Sequence, residues 1–183
     1  VDYAVLECAR GGLLRAGLAF KKCDVAIVTN VSADHLGLKG IHTVEQLAKV
    51  KGVIPETVMP GGYAILNADD DLVFEMYRNL QEGVHLVLFS MDENNPRIQR
   101  HMKRGGLSAI YENGFITILK GEWKIRVSKT INVPLTYGGK APFMIQNVLP
   151  SVLASYVQGF SIEDIRVAIE SFIPSPSQTP GRL

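Results

Sequence analysis

Apolar and polar positions along the chain fall into two alternating rhythms. Short, nearly continuous apolar runs, "VDYAVLE" (1–7), "CDVAIVTN" (23–30), "GYAILNAD" (62–69) and "VHLVLFS" (84–90), predict buried strands. Between them apolar residues return at helical spacing. "TVEQLAKVKGVIPETV" (43–58) predicts a helix with Thr43 as its N-cap, stopped by Pro60, Gly61 and Gly62. "DDLVFEMYRNLQEG" (70–83) predicts a second that ends at Gly83, and "ARGGLLRAGLAF" (9–20) turns at Gly11-Gly12 before a helical stretch. Strands alternating with helices imply βαβ crossovers and a largely parallel sheet.

The rhythm changes after residue 106. "LSAIYENGFITILKGEWKIRV" (107–127) holds three β-rich runs, and Asn113-Gly114 is a strong hairpin signal. Two helices follow, "FMIQNVLPSVLASYVQG" (143–159) and "SIEDIRVAIESF" (161–172), the second opened by Ser161 with Asp164 at the capping-box spacing. Pro150 lies inside the first and is expected to kink or divide it. The fold class is therefore α/β: a largely parallel sheet flanked by helices, with a small inserted antiparallel β-meander.

Composition narrows the function classes. The 183 residues are 46% hydrophobic and 20% charged, enough for one sizeable core. With 19 Lys+Arg against 18 Asp+Glu, the net charge of +1 gives no sign of a nucleic-acid-binding surface. The densest basic stretch, "RIQRHMKR" (97–104), reads as the solvated face of a helix. Cys8 and Cys23 lack any C-x-x-C spacing and read as small core residues. No apolar run is long enough to cross a membrane, so a cytoplasmic protein is expected. The chain opens almost directly into a predicted strand and stops in a Pro/Ser-rich stretch, as a piece of a longer protein would.

In a parallel α/β sheet, ligands collect beyond the carboxyl ends of the strands. Glu7, then Asn30 with Asp34-His35, then Asn67 with Asp69 and Asp70 all fall there. A carboxylate and a neutral imidazole could hold a divalent cation, with Asp34 orienting the ring. The alternatives stay open: a solvated loop at His35, and a strand-end turn with a helix N-cap at 67–70. Glu7 weighs most, because a carboxylate ending a buried strand needs a partner or a cation. No G-x-x-x-x-G-K-[ST] and no G-x-G-x-x-G occurs, so these residues alone do not make a nucleotide enzyme.

"LECARGGLLRAGL", "DVAIVTNVSADHLGLKGIHTVEQLAKVKGVI", "GGYAILNADDDLV" and "PSPSQTPGRL", in this order, resemble the central domain of the Mur ligase family, and within it the cyanophycin synthetase type. The resemblance covers essentially the whole chain. It implies an ATP-dependent amide ligase that activates a carboxylate as an acyl phosphate for attack by an amino acid amine. For the cyanophycin type this is arginine added to aspartate side chains of a polymer, beside an ATP-grasp half that makes the backbone. Other members, UDP-muramoyl peptide ligases and folylpolyglutamate synthase, are the alternative, and a non-catalytic module with a degenerate nucleotide pocket is a third reading.

The resemblance also implies roles. Glu7 and His35 would hold Mg2+ near the ATP γ-phosphate. Lys51 matches a lysine that many relatives carbamylate, with Lys49 a second register. Asn147 matches an adenine contact, Arg182 of "PGR" an arginine that reaches the nucleotide from the hinge, and Arg10 a position near substrate or phosphate. Met144 stands where many relatives have Asn, and Cys8 where Thr is common. Residues 1–178 are thus expected to form a partial central domain without its phosphate-loop strand and helix. Residues 179–183 would begin the linker to a C-terminal domain. Such a fragment is expected to be inactive alone. Its partners would be those segments of the same polypeptide, an amino acid and a peptide or polymer substrate. A homo-oligomer is open, and neither nucleic acid nor membrane is expected.

Overall fold

The computed structural model describes residues 2–33, 37 and 40–174, with only the backbone of Arg10. The order is α1 (Arg10–Ala16), β1 (Cys23–Val28), α2 (Val44–Gly52), β2 (Val58–Asn67), α3 (Asp71–Glu75), β3 (His85–Ser90), α4 (Pro96–Met102), β4 (Leu107–Glu112), β5 (Phe115–Lys120), β6 (Trp123–Lys129), α5 (Pro142–Val157) and α6 (Ile162–Ser171). The six strands form one sheet in sequence order. β1 to β4 are parallel, and β4–β5–β6 are antiparallel. The antiparallel meander extends the parallel sheet by two strands. Its tight turn has φ of 47° at Asn113 and 83° at Gly114, the two left-handed residues that an Asn-Gly hairpin supplies.

Alternation along the central strands sends side chains to two cores. Ile65, Val87, Phe89 and Ala109 meet Val148, Leu149, Val152 and Leu153 of α5 and Ile165 of α6. Leu66, Leu88 and Ile110 meet Leu47 and Ala48 of α2, Val73 of α3 and Ile98 of α4 on the other face. Burying each such Leu, Ile or Phe contributes roughly 1.5–3 kcal/mol, so the sheet is the sum of two half-cores rather than one.

Several expectations change. Residues 2–9 form no strand and are almost wholly exposed. A strand exists only as part of a ladder, and β1, at the end of the strand order, pairs only with β2 among the described residues. Gly11-Gly12 lie inside α1 rather than in a turn before it. α2 has the predicted Thr43 capping box, with Gln46 returning the bond, but it ends at Gly52, where Pro55–Thr57 forms a separate 3-10 turn. Pro60, Gly61 and Gly62 lie within β2 instead of stopping a helix. There the β1–β2 register slips between Cys23 and Val25. A Cβ on Gly62 would sit 2.5 Å from the Asp24 carbonyl oxygen, so only glycine lets β2 pass β1 so closely.

The helix predicted over 70–83 is short, α3 followed by a 3-10 turn at Met76–Asn79, and does not reach Gly83. α5 runs through Pro150 undivided. Burial of Leu149, Val152 and Leu153 on either side of the proline outweighs the one backbone bond it removes. Ser161 caps α6 by accepting from the Asp164 N–H at 3.1 Å, as its spacing suggested. Cys8 and Cys23 are half-buried rather than in the core. No helix among the described residues is long and apolar enough to cross a membrane.

Candidate functional site

Beyond the carboxyl ends of β1, β2 and β3 lies a compact set of polar groups. Asn67 is 1% exposed; its amide donates to the Thr29 carbonyl at 2.7 Å, and its Oδ1 accepts from the Asp69 N–H at 2.9 Å. That Asx turn brings Asp69 and Asp70 round the strand end. Asp69 accepts from Ser90 Oγ (2.5 Å), the Met91 N–H (2.7 Å) and the Asn95 amide (2.9 Å). Asp70 accepts from the Leu72 and Val73 N–H groups, both at 3.0 Å, as N-cap of α3, and from the Val31 N–H at 2.7 Å. Both carboxylates therefore fasten the edge rather than wait for a cation, so the turn-and-cap alternative describes 67–70. Sequence reading missed Ser90 and Asn95, whose signal was only their place at a strand end and a helix N-cap.

Lys51, in the last turn of α2, crosses to the same edge. Its Nζ donates to the Asn30 carbonyl oxygen at 2.8 Å, just past β1. This fixes a cation where ligands of such sheets gather. Lys49, the other register, is exposed. An open depression of about 400 Å³ lies beside the edge, lined by Ala68, Asp69, Asn95, Pro96, Arg97 and Arg100. Arg97 is held there by the Ala68 carbonyl (2.8 Å), the Asp71 carboxylate and the Phe74 ring.

α5 reaches this edge from the other end of the sheet. β4 runs parallel to β3, so the β4–β5 turn lies at the carboxyl edge. Thr130 donates its N–H to the Gly114 carbonyl at 2.9 Å and accepts, through its own carbonyl, from Thr136 Oγ1 at 2.6 Å. The segment that opens α5 is thus anchored at that edge, and Asn147 lies exposed less than two turns into the helix. Lys51 of α2 and Asn147 of α5 belong to helices on opposite faces of the sheet.

Glu7 is exposed and in no strand, so the argument from a buried strand end does not hold for it. Asp34, His35 and Arg182, and the side chain of Arg10, lie outside the described residues. Among the described residues no three His, Cys, Asp or Glu side chains converge as a metal site. With Asp69 and Asp70 saturated, the described groups alone do not fit magnesium. Cys8 is not an activated thiol: burial, then the neighbouring Cys23 and Glu7, raise its pKa above its ordinary value.

Comparison with known proteins matches residues 1–154 to the Mur ligase middle domain. The chain belongs to the Mur ligase family, a family of ligases. Within it, the chain is 54% identical over all 183 residues to the cyanophycin synthetase of Geminocystis herdmanii, of which it spans 21%. It is 30% identical over 152 residues to the UDP-N-acetylmuramate–L-alanine ligase of Acetivibrio thermocellus, covering 81% of this chain and 29% of that one. In structure it resembles MurF from Acinetobacter baumannii, with a TM-score of 0.56 at 19% identity over 84% of this chain and 30% of that one. That last likeness concerns the fold: a mostly parallel sheet, extended by antiparallel strands and flanked by helices.

Proposed function

We propose that this chain is the middle-domain part of an ATP-dependent amide ligase of cyanophycin synthetase type. The observation that carries the reading is the 54% identity over its full length to a cyanophycin synthetase. The UDP-N-acetylmuramate–L-alanine ligase of Acetivibrio thermocellus matches more weakly, at 30% identity. In this reading a carboxylate oxygen of an aspartate side chain attacks the γ-phosphorus of ATP, and ADP leaves. The arginine amine then attacks the acyl carbon, phosphate departs with its bonding pair, and the nitrogen loses a proton.

The chain's contribution is electrostatic and positional. Lys51 presents a cation at the phosphate end, held in place by the Asn30 carbonyl. Asn147 offers its amide to the adenine edge from α5. By the family resemblance, Arg182 is assigned a contact to the nucleotide and Arg10 a position near the substrate. Glu7 and His35 would hold Mg2+ together with groups beyond those described, and the ion would supply neutralisation of phosphate charge. The chain has no G-x-x-x-x-G-K-[ST], so in this reading the phosphate-cradling backbone belongs to another segment of the polypeptide and the chain alone is expected to be inactive.

The test is an assay of the complete polypeptide with ATP, Mg2+, arginine and a primer ending in aspartate. The expected products are ADP, phosphate and one new amide per event. His35→Ala is expected to reduce amide formation by at least about 100-fold with the fold retained. Near-wild-type ligation by that variant at saturating Mg2+ sinks the ligand role. Absence of arginine addition by the wild type sinks the substrate assignment.

A further inference from the structure

α4 and the turn after it carry the densest basic stretch of the chain, and packing decides where those charges point. Residues 96–111 hold four Arg and Lys and no Asp or Glu, in a chain with 19 Lys+Arg and 18 Asp+Glu. Ile98 is fully buried, and Met102 packs against the same core. His101 also turns inward: its Nε2 lies 3.2 Å from the Leu107 carbonyl oxygen, and a Cβ on Gly106 would meet that nitrogen at 2.3 Å. At about 100° per residue, these three fix the inner side of the helix. Arg97, Arg100, Lys103 and Arg104 are left on the outer side. Arg104 lies just past the helix, but its N–H bonds the His101 carbonyl at 3.1 Å, so the coil continues that far.

The row has a direction. β3 ends at Ser90 and the parallel β4 starts at Leu107, so α4 runs back from the carboxyl edge of the sheet to the opposite edge. Its head stands at the depression of about 400 Å³, which Arg97 and Arg100 line together. Asp69, also on that lining, is already saturated by Ser90, Met91 and Asn95. From there the cations lead away over seven positions, about 10 Å along a helix axis. Arg100, Lys103 and Arg104 are exposed, and of the four only Arg97 has a carboxylate partner among the described residues, Asp71. Arg100 is three or four positions from each of the others, so the row repels itself, a cost that a line of anions removes.

We propose that this outer face of α4 is a track for an acidic polypeptide, entered at the Arg97–Arg100 depression and followed through Lys103 and Arg104. This rests on the reading of an aspartate polymer as substrate and adds the residues that hold it away from the reacting carboxylate. A single small anion would fill the depression and leave the rest of the row unused. In an extended chain, side chains on one side recur about every 7 Å, so two or three carboxylates fit the length. Residues 96–104 contain no Phe, Tyr or Trp on which a base could stack, which favours a polypeptide over a single-stranded nucleic acid.

The test uses the complete polypeptide and a labelled peptide of about ten aspartates, read by fluorescence anisotropy and by arginine addition. The triple variant Arg100→Glu, Lys103→Glu, Arg104→Glu is expected to raise both the Kd and the KM for the peptide about tenfold, with kcat and the KM for ATP unchanged. The difference is expected to shrink as salt is raised, and Arg100→Lys with Arg104→Lys to stay close to wild type. An unchanged Kd and KM for the peptide overturns the track. A parallel rise in the KM for ATP does so too, because it would make the helix merely structural. If a single-stranded DNA of equal charge binds the wild type as tightly and loses as much in the variant, the face is a general polyanion surface and the assignment to a polypeptide is overturned. Wild type that binds the peptide through these residues but adds no arginine to it upholds the track and overturns the substrate reading instead.

Discussion

The two ends of the sheet treat charge in opposite ways. At the antiparallel end, Glu112 is 1% exposed, yet it accepts from Arg126 Nε and Nη2 at 3.0 and 2.8 Å and pairs with the Lys124 ammonium. Arg126 and Lys129 in turn lie over the Phe115 ring, at 4.5 and 5.6 Å from its centre. Those charges are spent on holding β4, β5 and β6 together. At the parallel end, Asp69 and Asp70 are spent in the same way, but Lys51 stands half-buried at the strand ends, its ammonium on the Asn30 carbonyl. Burial with every partner supplied marks architecture. Polar groups held at the strand ends but left facing outward are where ligand chemistry can begin.

The sharpest way to break this distinction is to strip Glu112 of its cations. Replacing Lys124 and Arg126 together with Met strands a buried carboxylate and is expected to cost about 3 kcal/mol or more, read by chemical denaturation. A loss below about 1 kcal/mol would place the triad among ordinary surface pairs. Next is Gly62→Ala, which drives a methyl into the Asp24 carbonyl and the Val58 side chain. About 2 kcal/mol of destabilisation is expected, and an unchanged Tm would mean that β1 and β2 yield easily there.

Asp70→Ala removes the α3 cap and the tie to Val31, for about 1–2 kcal/mol. A neutral result would return Asp70 to the pool of candidate ligands. The smallest effect is acid sensitivity. The Lys124 hydrogen bond, then the Arg126 one, hold the Glu112 pKa below its ordinary value against burial. Because the folded value is the lower one, this stabilisation is complete above the unfolded-state pKa, about 4.3, and is lost as pH falls through the folded one. Glu112→Gln is expected to flatten that part of the acid-unfolding curve relative to wild type.

Much of this was legible in the sequence because it was local. The Thr43 capping box, the Asn113-Gly114 turn and the short apolar runs of β2 and β3 each depend on neighbours within a few residues. What failed depended on partners elsewhere. "VDYAVLE" has strand composition but no ladder to join among the described residues, and Gly61-Gly62 looked like a helix stop until the close approach of Asp24 was known. Pro150 was overruled by the core on both of its flanks. At the site, residue types at strand ends pointed to the carboxyl edge, where Asn67, Asp69 and Asp70 lie. They did not tell saturated carboxylates from available ones, because Ser90, Met91 and Asn95 reach Asp69 only in three dimensions. His35 and Arg182, the residues most tied to the family resemblance, lie outside the described residues and keep their roles as proposals.

The most direct test of the account is to measure ligation and unfolding side by side in the complete polypeptide for Lys51→Ala and Arg126→Ala. Lys51→Ala is expected to keep the Tm within a few degrees and to lower arginine addition at least about 100-fold. Arg126→Ala is expected to do the reverse, losing about 1.5–3 kcal/mol of stability with ligation per folded molecule unchanged. If Lys51→Ala ligates normally, or Arg126→Ala loses ligation while remaining as stable as wild type, the division between a structural end and a functional edge is wrong.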